Sequence, residues 1–312
     1  MEIVNVDNFV RAETSRMFDS VVAQVGLNTW SHAREPVPID QQHVIRMNRD
    51  TLYSTALVDL RDDATITIPD MGERYGSVMV VNEDHHLNRI LHAPGRHELT
   101  LEEFETSFAV LVARLFVDPA DPGDIAAVNA IQDALDVEAG SSGPYAHPDY
   151  DPETLDATRA LLNQLATGIP DSRGTFGPRG EVDPVRHLVG TAFGWGGLPE
   201  SEAFYLVEPA PHPPTHHRIT FRDVPVDGFW SITIYNEDGF LEANPFDAYS
   251  LNGVTSLADD DGSVTIDLSP TNDGFRNHLY VMDGWNYAIR LYRPRPEVLD
   301  STWHAPIPIP VD

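Results

Sequence analysis

The second half of the chain alternates short β-branched or aromatic runs with Asp-Gly pairs, and this pattern restricts the fold more than any other feature. HRITF, GFWSITIYN, the SVTIDL run and NYAIRLYRP are each of strand length, and Asp-Gly turns stand at 227–228, 238–239, 261–262 and 273–274. Asp-Gly pairs are turn signals, so each run is expected to be a separate short strand. Many short strands spaced in this way point to an antiparallel sandwich or jelly-roll-like domain.

The first half is more mixed. Apolar residues at Phe9, Val10, Met17, Phe18, Val21, Val22 and Val25 predict an amphipathic helix between Val6 and Val25 that covers a sheet. Strands are expected at about 52–60, 64–68 and 76–82, separated by Asp62-Asp63 and Pro69-Asp70-Met71-Gly72. Thr100 with Glu103 forms a capping-box pattern for a short helix, and SFAVLVARLFV after it is apolar enough for a strand buried on both faces. Helices are expected over about 122–136 and 152–166, with EAGSSGPYAHPDYD as the loop between them. Asp183-Pro184 is an N-cap and first-turn pair for a helix through Arg186, His187 and Leu188. The Gly- and Pro-rich TGIPDSRGTFGPRGEVDP marks the domain boundary, giving domains 1–170 and 171–312. The expected class is therefore α+β and β-rich, with two antiparallel sandwich, jelly-roll-like domains and helical additions.

Composition narrows the partners. Asp and Glu number 49 against 20 basic residues, all of them arginine, for a formal net charge of −29. Such a charge drives a compact chain apart in dilute buffer, whereas at about 1 M salt the Debye length is about 3 Å and the repulsion is screened. A salty habitat is the expectation, and folding should require molar salt. Nucleic acid and anionic membrane surfaces are disfavoured as partners, because phosphate contacts need a basic face. The start MEIVNVDNFVRAETSR lacks a basic segment followed by an apolar block, and no stretch approaches membrane-span length, so a cytoplasmic location is expected. With no cysteine there is neither a disulfide nor a thiolate site.

The segments RMNRDTLYS, VVNEDHH, LFVDPADPGD with AIQDAL, EVDPVRHLVGTAFGWGG, VPVDGFWSITIYN, NPFDAYSLN and WNYAIRLYRPRPEVLDSTW resemble a two-domain bacterial and archaeal family. Its halves are called domain of unknown function 1254 and domain of unknown function 1214. The resemblance spans nearly the whole chain in order. It implies two β-rich domains with helical additions and no particular reaction. His86 stands where relatives often carry Tyr.

Two polar stretches are candidates for chemistry. Asp84 and His85 end the apolar run Val78–Val81, where a rigid strand aims terminal side chains and a His beside an Asp suits acid–base work near neutral pH. Adjacent strand residues face opposite ways, so His85 could instead meet Asp50 or His187 across space, or be a satisfied histidine capping the strand end. Asn48, Arg49, Asp50 and Tyr53 offer donors, acceptors and a fixed cation suited to a carboxylate or sugar-like ligand, against the alternative of an Arg–Asp lock at a strand entry. Arg186 and His187 follow the Asp183 cap as further binding candidates with the same structural alternative. Trp230, Tyr235, Trp285, Tyr287 and Tyr292 either line a cleft or pack a core, and alternation along their strands favours the core. GWGGLP lacks dinucleotide-loop spacing and suits close backbone packing. The histidine pairs at 85–86 and 216–217 lack metal-site spacing, and no GxSxG, P-loop or SxxK motif occurs.

The expected function is a small-molecule enzyme of hydrolase or lyase type, without a cofactor or metal. In it His85, Asp84 and Asp50 carry acid–base chemistry in a cleft near the domain junction, and Asn48, Arg49, Tyr53, Arg186, His187 and Tyr235 bind the substrate. A noncatalytic binding protein for a sugar or other polar compound and a structural β-sandwich module remain alternatives. The sequence is also compatible with a homo-oligomer.

Overall fold

The computed structural model describes residues 1–42, 45–169 and 171–311. The chain is α+β and β-rich, and it divides into two compact units: Met1–Glu35 with Thr51–Pro199, and Pro36–Asp50 with Glu200–Asp312.

The first unit contains α1 (Phe9–Val25), β1 (Ser31–His32), β2 (Thr51–Asp59), β3 (Ala64–Ile68), β4 (Gly76–Asn82), β5 (Leu87–Leu91) and β6 (Gly95–Leu99). After these come α2 (Leu101–Phe104), β7 (Phe108–Phe116), α3 (Pro122–Asp133), β8 (Asp136–Ala139), α4 (Pro152–Leu165) and α5 (Pro184–Gly194). A five-stranded antiparallel sheet runs β1-β2-β7-β4-β5 and a three-stranded one β6-β3-β8. Ala56, Val58, Val80 and Leu111 of the first meet Ile66, Ile68 and Leu99 of the second in one core. On a separate apolar cluster Phe9 and Ala12 of α1 pack with Leu155 and Leu162 of α4 and Val189 and Ala192 of α5. All nine residues of β7 are buried, as its unbroken apolar run requires.

Local signals explain several helix starts. The side chains of Thr100, Asp121, Asp151 and Asp183 accept backbone N–H bonds at the starts of α2, α3, α4 and α5, the last three followed by proline in the first turn. Helix α3 stops at Asp133, short of 136, and the next residues form β8 instead, because they pair with β3 from Thr67↔Asp136 to Ala64↔Ala139.

The second unit contains β9 (Ala203–His212), β10 (His217–Phe221), β11 (Trp230–Tyr235), β12 (Ser250–Asn252), β13 (Val264–Ser269), β14 (His278–Tyr280), β15 (Trp285–Tyr292), α6 (Pro296–Leu299) and β16 (Ile309–Pro310). Sheets β14-β13-β10-β16 and β12-β11-β15-β9 face each other, and Phe221, Ile266 and Leu268 meet Trp230, Ile232, Trp285 and Ile289 between them. The sandwich is antiparallel except for the parallel pair β13–β14.

The units divide at Pro199/Glu200 rather than near 170, and residues 36–50 join the second unit. The expected boundary residue Pro170 lies outside the described residues. Helix α5 belongs to the first unit for a physical reason: its apolar face completes the cluster of α1 and α4.

Candidate functional site

Strands β11 and β15 are buried at every position, which a one-faced strand would not be. Trp230, Ile232 and Ile234 point into the sandwich core, as do Trp285 and Tyr287. Alternation then puts Ser231, Thr233 and Tyr235 on the opposite face, where Arg290 pairs in register with Ser231. Residues 36–50 supply partners there: Ile39 and Met47 pack with Tyr235, Leu241, Tyr249 and Ala288.

A buried polar cluster results. Arg290 donates from Nη1 to Thr233 Oγ1 at 2.9 Å, and from Nη2 to the Arg46 carbonyl at 2.8 Å and Tyr235 Oη at 2.6 Å. Tyr235 Oη donates to the Met47 carbonyl at 3.0 Å. Asp50 Oδ2 accepts from Ser231 Oγ at 2.5 Å and from Tyr292 Oη at 3.5 Å. Asn48 donates to Tyr292 Oη at 3.1 Å and accepts the Asp50 amide at 2.7 Å. Asp50 and Arg290 are both buried, yet among the described residues no ion pair within 4 Å joins them. Burial pushes the Asp50 carboxyl up, against the opposing pull of Arg290, Ser231 and Tyr292. Desolvation works against the charge on Arg290, but Tyr235, Asp50 and Tyr292 outweigh it and hold the guanidinium protonated.

Of the residues singled out from sequence, this cluster gathers Asn48, Asp50 and Tyr235. Arg49 turns elsewhere: it donates to the Val37 carbonyl at 3.2 Å and lies 5.2 Å from the Tyr249 ring centroid, so the neighbouring Asp50 takes its counter-charge from Arg290 instead. Arg290, Ser231, Thr233 and Tyr292 were not singled out as polar site residues. The signal was an arginine inside the apolar strand YAIRLY, facing serine and threonine in ITIY.

Tyr53, Asp84, His85, Arg186 and His187 belong to the first unit. Tyr53 lies on β2 opposite Arg114, whose guanidinium sits 5.5 Å from its ring centroid. Arg186 donates to the carbonyls of Asp171 and Arg173, each at 3.1 Å. Asp84 is gripped by Arg11 at 2.7 Å, and its carbonyl accepts from His187 Nε2 at 3.0 Å. His85 is fully buried; its Nε2 accepts the Gly196 amide at 2.9 Å and its Nδ1 lies 2.8 Å from Thr191 Oγ1. Both ring nitrogens are therefore engaged within the unit, which leaves no lone pair for a substrate in this arrangement.

Residues 27–139 match the family described as Protein of unknown function (DUF1254), and residues 211–296 match Protein of unknown function (DUF1214). The chain belongs to this two-domain family. Its fold is similar to that of the VPA0106 protein from Vibrio parahaemolyticus, with a TM-score of 0.78 at 18% identity over 98% of each chain. An uncharacterized protein from Burkholderia cenocepacia is similar with a TM-score of 0.53 at 15% identity, over 97% of this chain and 86% of that one. At these identities the likeness shows the fold alone. No curated protein matches the sequence.

For this family member, no helix among the described residues is long and apolar enough to cross a membrane. Among the same residues no three His, Asp or Glu side chains assemble to hold a metal ion. The polar cluster of the second unit gathers hydroxyls and a fixed cation around the Asp50 carboxyl, which burial biases toward holding a proton.

Proposed function

We propose that the second unit recognises a small polar molecule at the Asp50–Arg290 cluster, and that Asp50 moves a proton in a hydrolase- or lyase-type reaction there. The observation that supports this reading most is that Asp50 and Arg290 are buried in one cluster without pairing within 4 Å. A buried ion pair seldom stabilises a fold more than apolar residues of the same volume would, and separated charges gain less still. A carboxyl raised by burial beside two hydroxyls is, by contrast, suited to general acid–base work. Arg290 gives a fixed positive charge to steady negative charge on a bound molecule. In this reading Asp50 carries the proton transfer rather than His85, whose ring nitrogens are both occupied.

A second reading rests on a specific observation of its own. Sheet side chains hold Asn48 and Asp50 and the carbonyls of Arg46 and Met47, which is also how a lock on residues 46–50 would be built. The two readings separate by experiment. Small hydroxy- and keto-carboxylates and free sugars would be titrated in high salt against the native protein, Asp50→Asn and Tyr235→Phe. Binding by the native protein that both folded variants lose is the expected result, and equal binding by all three leaves only the lock.

The excess of acidic residues and the use of arginine alone support a salt-rich habitat and a cytoplasmic site of action. Neighbouring acidic side chains, Asp259, Asp260 and Asp261 in the second unit and Asp62, Asp63, Glu98 and Glu138 in the first, support the same reading, although Asp259, Asp261 and Glu138 pair with Arg276, Arg222 and Arg96. A small molecule, rather than nucleic acid or a membrane, is the partner this surface favours.

A further inference from the structure

The turn between β4 and β5 is held in an unusual way. His85 occupies the left-handed region at φ +59°, a conformation that costs a non-glycine residue energy unless its surroundings enforce it. Within the turn the Asn82 carbonyl accepts the His85 amide and the Asn82 Oδ1 accepts those of Asp84 and His86, and the His85 ring ties the turn to its surroundings. Because the Gly196 amide must donate, His85 Nε2 is unprotonated; the Nδ1 proton then goes to Thr191 Oγ1, whose hydroxyl in turn donates to the His187 carbonyl at 2.8 Å. The ring is also the inner member of a stack. Trp195 lies 5.3 Å from it on one side at 20°, His187 lies 5.5 Å away at 29°, and His86 lies 4.5 Å beyond His187 at 14°. A single tryptophan and three imidazoles thus link the turn to α5 and to the GWGG segment.

We propose that this stack is a proton-operated clasp: it holds the 82–86 turn on α5 and on Gly196 while its histidines are neutral, and acid releases it in a local opening of the first unit. The geometry forbids a proton on His85 in the closed state, since a protonated Nε2 would face the Gly196 N–H donor to donor. Charge on any two rings of the stack would also repel at these spacings.

The groups facing the stack do not reverse this sign. On the turn itself Glu83 and Asp84 are engaged by Arg11 of α1. On α5 the stack meets His187, and from β7 Arg114 donates to the Gly196 carbonyl at 2.7 Å. Arg179 and Glu105 act on His86 with opposite effects. Burial, then the neighbouring His187 and His86, hold His85 well below its ordinary value; burial and His187 bring His86 down to about 4, with Asp84 opposing. Burial also lowers His187, partly offset by the carbonyls of Asp84 and Thr175 and by the Asp84 carboxylate. A group whose pKa is lower in the closed state contributes stability that is present above its ordinary 6.5 and is lost as pH falls through the closed-state value, here about 4 for His86. Opening therefore takes up protons across that interval.

Native-state hydrogen exchange in high salt tests the clasp. The opening constant is read at the amides of Gly196 and Leu87, with Leu111 in the centre of the five-stranded sheet as the reference for global unfolding. Each proton taken up multiplies the opening constant by about ten per pH unit, so three histidines give up to about a thousandfold per unit. The expected result is a steep rise at Gly196 as pH falls below 6.5, at every pH through a larger opening constant than that of Leu111. His86→Phe keeps a stacking ring and should remove about one factor of ten per unit from that slope. A flat profile at Gly196 overturns the clasp. So does an opening constant equal to that of Leu111 throughout, which would make the stack a reporter of global unfolding only, or a slope that His86→Phe leaves unchanged.

Discussion

Replacing Arg290 by methionine removes the cation from the buried cluster while keeping much of its volume. Three donor contacts disappear, to Thr233 Oγ1, Tyr235 Oη and the Arg46 carbonyl. Each net hydrogen bond is worth about 1 kcal/mol, and a buried carboxylate that loses its counter-charge costs about 3–5 kcal/mol. The two contributions overlap, because Asp50, already pushed up by burial, can take a proton instead of staying charged. We expect Arg290→Met to cost about 4 kcal/mol in the native background, and about 2–3 kcal/mol once Asp50→Asn has removed the charge. The double-mutant cycle should then report a coupling of about 1–2 kcal/mol. Coulomb attraction between charges more than 4 Å apart stays below about 4 kcal/mol at an effective dielectric of about 20, so a larger coupling is not expected. Urea unfolding in high KCl is the assay, since salt screens exposed charges but barely reaches a buried pair. A coupling indistinguishable from zero would mean that Asp50 and Arg290 do not share an electrostatic environment, and the proposed site would lose its basis.

Other outcomes follow from the same geometry. Arg49→Ala removes one bond to a carbonyl and a contact with the Tyr249 ring, so it should cost about 1–2 kcal/mol, clearly less than Arg290→Met; an equal cost would restore Arg49 as the counter-charge of Asp50. Gly197→Ala would place a Cβ 2.4–2.9 Å from three atoms of the buried Phe176 ring, so unfolding should be easier by about 1–3 kcal/mol with ligand affinity unchanged; unaltered melting with lost binding would reverse that assignment. Thermal midpoints should rise steeply between about 0.1 and 3 M KCl, and a midpoint independent of salt would remove the habitat argument.

Much of the fold was legible because its signals are local. Asp183 before Pro184 specifies the start of α5, and the Asp-Gly pairs fall between strands of the second unit. Strand β9 was hidden by Pro209 and Pro211, which as a rule argue against a central strand; among the described residues β9 is an edge strand paired only with β15, so the missing N–H groups are tolerated. The division of the chain was less legible, because membership of residues 36–50 and of α5 depends on packing partners far away in sequence. The candidate site was half legible. Asn48 and Asp50 stood out as polar residues ahead of a strand, whereas Arg290 reads as polar contamination of an apolar run until the far face of its sheet is found to be covered. His85 stands just past the end of β4, and the residues that meet its ring nitrogens, Thr191 and Gly196, lie more than a hundred positions away, where no local pattern points to them.

The most direct test of the central claim needs no ligand. Asp50 can be followed through a pH titration by carboxyl-carbon NMR of aspartate-labelled protein in high salt, with Asp50→Asn assigning the resonance. The account predicts a midpoint clearly above the about 3.9 of an ordinary aspartate, because burial outweighs Arg290, Ser231 and Tyr292. A midpoint at or below that value would mean that Asp50 is a plain counter-ion of Arg290, and would contradict its assignment as the proton-transfer group.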